Sequence, residues 1–194
     1  MSRRAKPDGR CARCRMYERL CLCAMVPRLQ TRTRLVLVIH RDETQKPTNS
    51  GLLATQSLAN SEVCVRGRRG QEAPALVFAP GTQPLLLFPH EDAQPLARFA
   101  GSPRPITLVV PDGTWRQASR VRQRVAGLAG IPCVTLPPAA ATARLRAQPD
   151  DARLPTLVAI ARALGILDGP EAQAALERLF AALVARVMQL RGVG

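Results

Sequence analysis

At 194 residues the chain is long enough for one full domain with a small appendage, and its 46% hydrophobic and 22% charged residues are ordinary for a globular protein, although 3% aromatics leave the core to Leu, Val and Ala. Its 28 Lys and Arg against 14 acids leave a formal charge of +14, which suits a polyanionic partner and is also what a GC-rich genome yields. No apolar run reaches bilayer length and no signal-peptide hydrophobic region opens the chain, so the expectation is a soluble cytoplasmic protein with no membrane partner, whose six cysteines stay reduced.

Residues 1–33 form a distinct basic segment with little aliphatic periodicity. Cys11-x-x-Cys14 followed by Cys21-x-Cys23 brings two close thiol pairs within reach of one tetrahedral Zn(II), a structural site; the alternatives are a redox pair or unliganded thiols. Arg3, Arg4, Lys6, Arg10, Arg13, Arg15 and Arg19 would then coat a rigid knob, either as an RNA backbone contact or as a solvated face.

The second unit, residues 34–194, starts with a strand over 34–40 that delivers His40 to its end. A polar segment, 41–51, precedes a helix over 52–58. Residues 62–66 read as a strand running into Arg66-Gly-Arg68-Arg69-Gly, a basic loop able to grip phosphate or simply to stay mobile at the surface. Two further strands are expected at 75–78 and 84–88, the second closed by Phe88-Pro89-His90-Glu91-Asp92-Ala93, where exposed loop polarity competes with chemistry at His90 and Glu91.

Residues 106–110 are β-branched, short and apolar, as in a central strand covered on both faces. Pro111 is expected to stop the ladder and Gly113 to turn the chain, which presents Asp112 at a strand's carboxyl end, where open α/β sheets bind ligands. Thr114-Trp115-Arg116-Gln117 also fits a capping box, with Asp112 a mere turn former. A helix over 114–127 would place Ala118, Val121, Val125 and Leu128 on the core face and Arg116, Arg120 and Arg124 on a basic ridge. A last strand at 131–137, with Cys133 and, earlier, Cys64 as packing residues, leads into the loop 138–146. Two helices finish the chain: 155–164, ending near Gly165, and 170–190, with Leu176, Leu179, Phe180, Leu183, Val184, Val187 and Met188 at packing positions.

Asp112-Gly-Thr-Trp115-Arg-Gln-Ala118 resembles the signature of the DTW-domain family, tRNA-uridine aminocarboxypropyltransferases related to the knotted SPOUT methyltransferases. The likeness extends to the four N-terminal cysteines, His40-x-x-Glu43, Asn49-Ser-Gly51, Phe88-Pro89, Leu136-Pro137, Leu145-Arg146 and Leu154-Pro-Thr156. Ser50 stands for the family's Thr, and Val158 for its usual Glu, which puts that Glu's role in doubt here. The resemblance implies an α/β sheet with helices on both faces and a trefoil knot near the C-terminus, beside the four-cysteine zinc segment. It implies S-adenosylmethionine bound among Phe88, Pro89, Asp112, Trp115, Leu136, Pro137 and Thr156, and transfer of its 3-amino-3-carboxypropyl group to N3 of a tRNA uridine. Asp112 would take the imide proton or orient the uracil edge, Thr114 would assist and Trp115 would pack on the cofactor or base. His40, Asn49, Arg66, Arg68, Arg69, Arg116, Arg120 and Arg146 would face RNA. SPOUT enzymes are usually dimers, but this sequence leaves the oligomeric state open. An RNA methyltransferase using the same donor, and a non-catalytic zinc-containing RNA-binding module, are the competing readings.

Overall fold

The computed structural model describes residues 9–67, 70–138, 154–190 and 192. Six strands, β1 (Arg34–His40), β2 (Ser61–Arg66), β3 (Gln83–Leu87), β4 (Gln94–Pro95), β5 (Ile106–Asp112) and β6 (Cys133–Thr135), form one sheet in the order β2-β1-β5-β3-β6-β4 with every pairing parallel. Parallel strands need crossovers that cover both faces, so the central strands are buried on both sides. Residues 35–39 of β1 and 106–110 of β5 are all buried.

Alternate residues of each strand feed two cores. Leu35, Leu37, Ile39, Leu85, Leu108 and Val110 meet α1 (Gly51–Ser57), α4 (Thr156–Leu167) and α5 (Pro170–Leu190). The Cys segment enters this same core, with Met16 and Leu22 fully buried in it. On the opposite face Val36, Val38, Leu86 and Val109 meet Val121 of α3 (Val121–Arg124), Val125 and Leu128. An α/β sheet with helices on both faces is therefore what the chain forms.

Four local expectations are corrected. Residues 75–78 are not a strand: the Leu76 N–H donates to the Ala126 carbonyl at 2.9 Å, Leu76 is buried and Val77 is exposed to solvent, so the segment crosses the sheet face as a strap. The helix foreseen at 114–127 is two short turns, α2 (Trp115–Ala118) and α3, broken at Ser119 and Arg120. The Gln117 carbonyl, the acceptor that a continuous helix would offer to the Val121 N–H, accepts instead from the Arg66 guanidinium. α4 runs through Gly165 to Leu167, and Gly165 faces the Gln173 side chain of α5. Met188 on α5 is exposed, whereas Leu176, Leu179 and Leu183 are buried as foreseen.

Pro111 also behaves differently from expectation. β5 pairs with β3 only as far as Val109 but with β1 as far as Asp112. At Pro111 the strand is bordered on one side alone, where a proline is tolerated. The extension matters, because it carries Asp112 into the ladder opposite Ile39.

Candidate functional site at the carboxyl edge of the sheet

Because every strand runs the same way, β2, β1 and β5 end side by side at Arg66, His40 and Asp112, and β3 passes next to them into Phe88. Asp112 is buried, and each of its carboxylate oxygens has a donor: Asn49 Nδ2 to Oδ2 and Thr156 Oγ1 to Oδ1, both at 2.5 Å. Asn49 is itself held, since its Oδ1 accepts from the Leu52 N–H at 3.0 Å and so caps α1. Thr156 opens α4, whose positive N-terminal end therefore faces the carboxylate.

Asn49-Ser50-Gly51 divides three tasks among adjacent residues. Asn49 orients Asp112. Ser50 Oγ accepts from the Leu157 N–H at 3.3 Å, capping α4 where Pro155 offers no side-chain cap, so the hydroxyl shared by Ser and Thr is what the position needs. Gly51 leaves room: a Cβ there would lie 3.1 Å from Asp112 Oδ2 and from Leu37 Cδ1.

Thr114 forms the foreseen capping box, its Oγ1 accepting from the Gln117 N–H at 3.3 Å while Gln117 Oε1 accepts from the Thr114 N–H at 2.8 Å. The box rigidifies the turn between Asp112 and Trp115. Trp115 is 41% exposed, and its ring lies 4.9 Å from that of buried Phe88 at an interplanar angle of 35°. An exposed indole backed by a buried ring is a surface on which a planar heterocycle can stack.

The remaining expected residues divide. Pro89 and Pro137 are exposed at this edge and Leu136 is half-buried; the Pro137 carbonyl accepts from Arg162 Nη2 at 2.6 Å, a brace from α4 that no sequence pattern announces. Thr156, expected among cofactor contacts, directs its hydroxyl to Asp112. His40 Nδ1 accepts from the Asp42 N–H at 3.3 Å, and its ring occupies the space over Gly67, whose φ of 83° suits glycine and where an added Cβ would come within 2.4 Å of Nε2. Arg66, foreseen on a phosphate-gripping surface, is 6% exposed and donates inward to Gln117; burial and nearby Arg124 lower its pKa. Arg116 and Arg124 are exposed and Arg120 half-buried, and the break between α2 and α3 removes the single helical register on which the ridge was expected. Arg68, Arg69, Arg146 and nearly all of the loop 138–146 lie outside the described residues.

At the N-terminal segment Cys11 and Cys23 sulfurs are 3.5 Å apart, Cys14 and Cys21 sulfurs 3.7 Å, and all four lie within 4.8 Å of one another. Four thiolates about 2.3 Å from one tetrahedral zinc stand roughly 3.8 Å apart, so the cluster fits the ion without rearrangement. Arg15, at φ 64°, reverses the chain after Cys14, and the Cys11 N–H donates to the Met16 carbonyl at 2.8 Å, closing the knuckle. The backbone N–H groups of Cys14 and Arg13 hold the Cys11 thiol down to about 6, while burial and hydrogen bonding to Cys11 push Cys23 up to about 12. All six cysteines are unbridged, and Cys64 and Cys133 are buried packing residues as foreseen.

Comparison with known proteins places the chain in a family. A tRNA-uridine aminocarboxypropyltransferase 2 of Drosophila melanogaster is 28% identical over 179 residues, covering 88% of this chain and 71% of the relative. Its counterpart in Macaca fascicularis is 31% identical over 175 residues, covering 84% of this chain and 58% of the relative, and that of Mus musculus 32% over 121 residues, covering 57% and 40%. No solved structure matches the chain significantly. The DTW domain matches residues 8–188, from just before the cysteine cluster to the last turns of α5, and the chain belongs to that family.

Proposed function

We propose that this protein is a tRNA-uridine aminocarboxypropyltransferase that uses S-adenosylmethionine and acts in the cytoplasm. The observation that carries the reading is the buried Asp112 held by Asn49 and Thr156 beside an exposed Trp115, within a chain matched over 8–188 by the DTW domain. A carboxylate fixed on both oxygens is unneeded by a protein that merely grips an anionic backbone.

The residues at the edge suit the donor. Trp115 and Phe88 give a ring surface for a nucleobase, and the carboxyl end of a parallel sheet is where such ligands sit. When bound, S-adenosylmethionine supplies an electrophilic carbon next to its sulfonium, and methylthioadenosine is the leaving group. Asp112 fixes the geometry of the acceptor at that carbon, Thr114 keeps the Asp112-to-Trp115 turn rigid through its capping box, and Trp115 stacks on cofactor or base. Arg116, Arg120 and Arg124 track the RNA backbone, and Cys11, Cys14, Cys21 and Cys23 hold a structural Zn(II). The reading includes a SPOUT-type knot in the loops after β3, β5 and β6.

Mass spectrometry of products formed from S-adenosylmethionine and bulk unmodified tRNA tests it. Methylthioadenosine together with tRNA carrying an aminocarboxypropyl mass is the expected result. S-adenosylhomocysteine would make the protein a methyltransferase, and tRNA retention with neither product would make it a binding module.

A further inference from the structure

Transfer to the imide nitrogen requires that its proton go somewhere, and Asp112 is poorly placed to take it: the group is buried and both oxygens already hold donors. Histidine is the usual side chain for this task near neutral pH. The chain has two, and each stands two residues before an aspartate, His40 before Asp42 and His90 before Asp92. The first pair starts at the last residue of β1 and the second lies in the loop just after β3.

Geometry separates them. The His40 side chain is only 16% exposed, its ring packs over Gly67, and its Nδ1 lies 3.2 Å from Asp42 Oδ2, a longer contact than the one at His90. The His90 side chain is 40% exposed, two residues beyond the Phe88 that packs against Trp115. His90 Nδ1 lies 2.7 Å from Asp92 Oδ1, and Arg122 Nη1 of α3 lies 2.8 Å from Asp92 Oδ2. The Asp92 N–H also approaches Nδ1, at 3.5 Å, but the much shorter carboxylate contact assigns Nδ1 the hydrogen. That tautomer leaves the lone pair on Nε2, which has no hydrogen bond among the described residues. Arg122, hydrogen-bonded to Asp92, lowers that carboxyl's pKa, so it stays ionised beside the ring. Of the other titratable groups here, Glu91 between the pair is exposed to solvent, and Cys133 on β6 has its pKa raised by burial.

We propose that His90, with Asp92 as its orienting carboxylate, is the general base of the transfer, an inference that rests on the function proposed above. Nε2 accepts the proton of uridine N3 while the N3 electron pair forms the bond to the carbon next to the sulfonium; the sulfur–carbon pair leaves with methylthioadenosine. Asp92 offsets the imidazolium charge through Nδ1–H, and the exposed ring returns its proton to solvent.

Chemical rescue tests this, because an exogenous base replaces a proton acceptor but not a packing residue. His90→Ala is expected to lower kcat by about 100-fold with the KM for S-adenosylmethionine unmoved, and millimolar imidazole is expected to restore much of the rate. His90→Gln, which keeps the loop's polarity, is expected to be equally slow. Undiminished turnover in His90→Ala, or a loss that imidazole does not repair, overturns the inference while active wild type leaves the transferase reading intact. Wild type that releases no methylthioadenosine overturns both.

Discussion

The cysteine knuckle and the Asp112 cluster are both small polar centres closed by four or fewer side chains, yet they are specified in opposite ways. The four cysteines fall within residues 11–23, so a short loop and one reversed residue, Arg15, suffice to gather them. Asp112 meets Asn49 and Thr156 from 63 and 44 residues away, and nothing but the parallel sheet and the packing of α1 and α4 on it brings them together. The first centre is a local device that holds Met16 and Leu22 in the main core; the second is a long-range device that holds one carboxylate still. A local centre should therefore fail through stability and a long-range one through activity.

The largest effect tests the first half of that contrast. Removing metal with a chelator, or Cys14→Ser, is expected to release the segment from the core at a cost on the order of several kcal/mol, seen as a fall of about 10 °C in Tm. Protein isolated without bound zinc and with Tm unmoved by chelator would break the comparison, since the knuckle would then owe nothing to a metal.

The second half is sharpened by a mutant cycle. Asp112→Asn is expected to slow transfer by roughly 100-fold through lost orientation, with affinity for S-adenosylmethionine largely kept. Asn49→Ala and Thr156→Val, each removing one bond to a charged group, should cost roughly 10-fold and leave Tm nearly unchanged. In the Asp112→Asn background neither should cost more, because the carboxylate they hold is gone. Effects that simply multiply would show that Asn49 and Thr156 act elsewhere, and full activity in Asp112→Asn would remove Asp112 from the site.

The smallest effect lies at the site's outer margin. Asp92 has its folded pKa lowered first of all by the Arg122 hydrogen bond, so the stability it lends is present above its unfolded value, about 3.9, and is lost as pH falls through the folded one. Wild type and Arg122→Ala should thus differ slightly in urea midpoint at pH 7 and converge in acid. A gap that persists at low pH would assign the effect to packing instead.

Much of this site is legible in the chain itself. Short β-branched runs ending in Asp112 and His40 announce strands whose carboxyl ends meet, and Thr114 to Gln117 announces a cap that the structure forms. Other features mislead for identifiable reasons. The strap at 75–78 has strand-like composition but finds its hydrogen bond at Ala126, because Gly127 lets it approach: a Cβ there would lie 2.1 Å from the Leu76 carbonyl oxygen. Arg66 looks like one more surface cation in a basic loop, yet its place opposite His40 in the ladder turns it inward to the Gln117 carbonyl.

Taken by itself, the sequence determined what depends on neighbours along the chain: strand and helix periodicity, the thiol spacing, the capping box and the excess of arginine. Only the tertiary structure decided which far-separated side chains share a hydrogen bond. It anchored both oxygens of Asp112, left the His90 ring more exposed than that of His40, and split a helix at Ser119 and Arg120. The physical reason is that hydrogen bonding and exposure are settled by which groups the packed sheet brings within about 3 Å, a relation that chain order does not encode residue by residue.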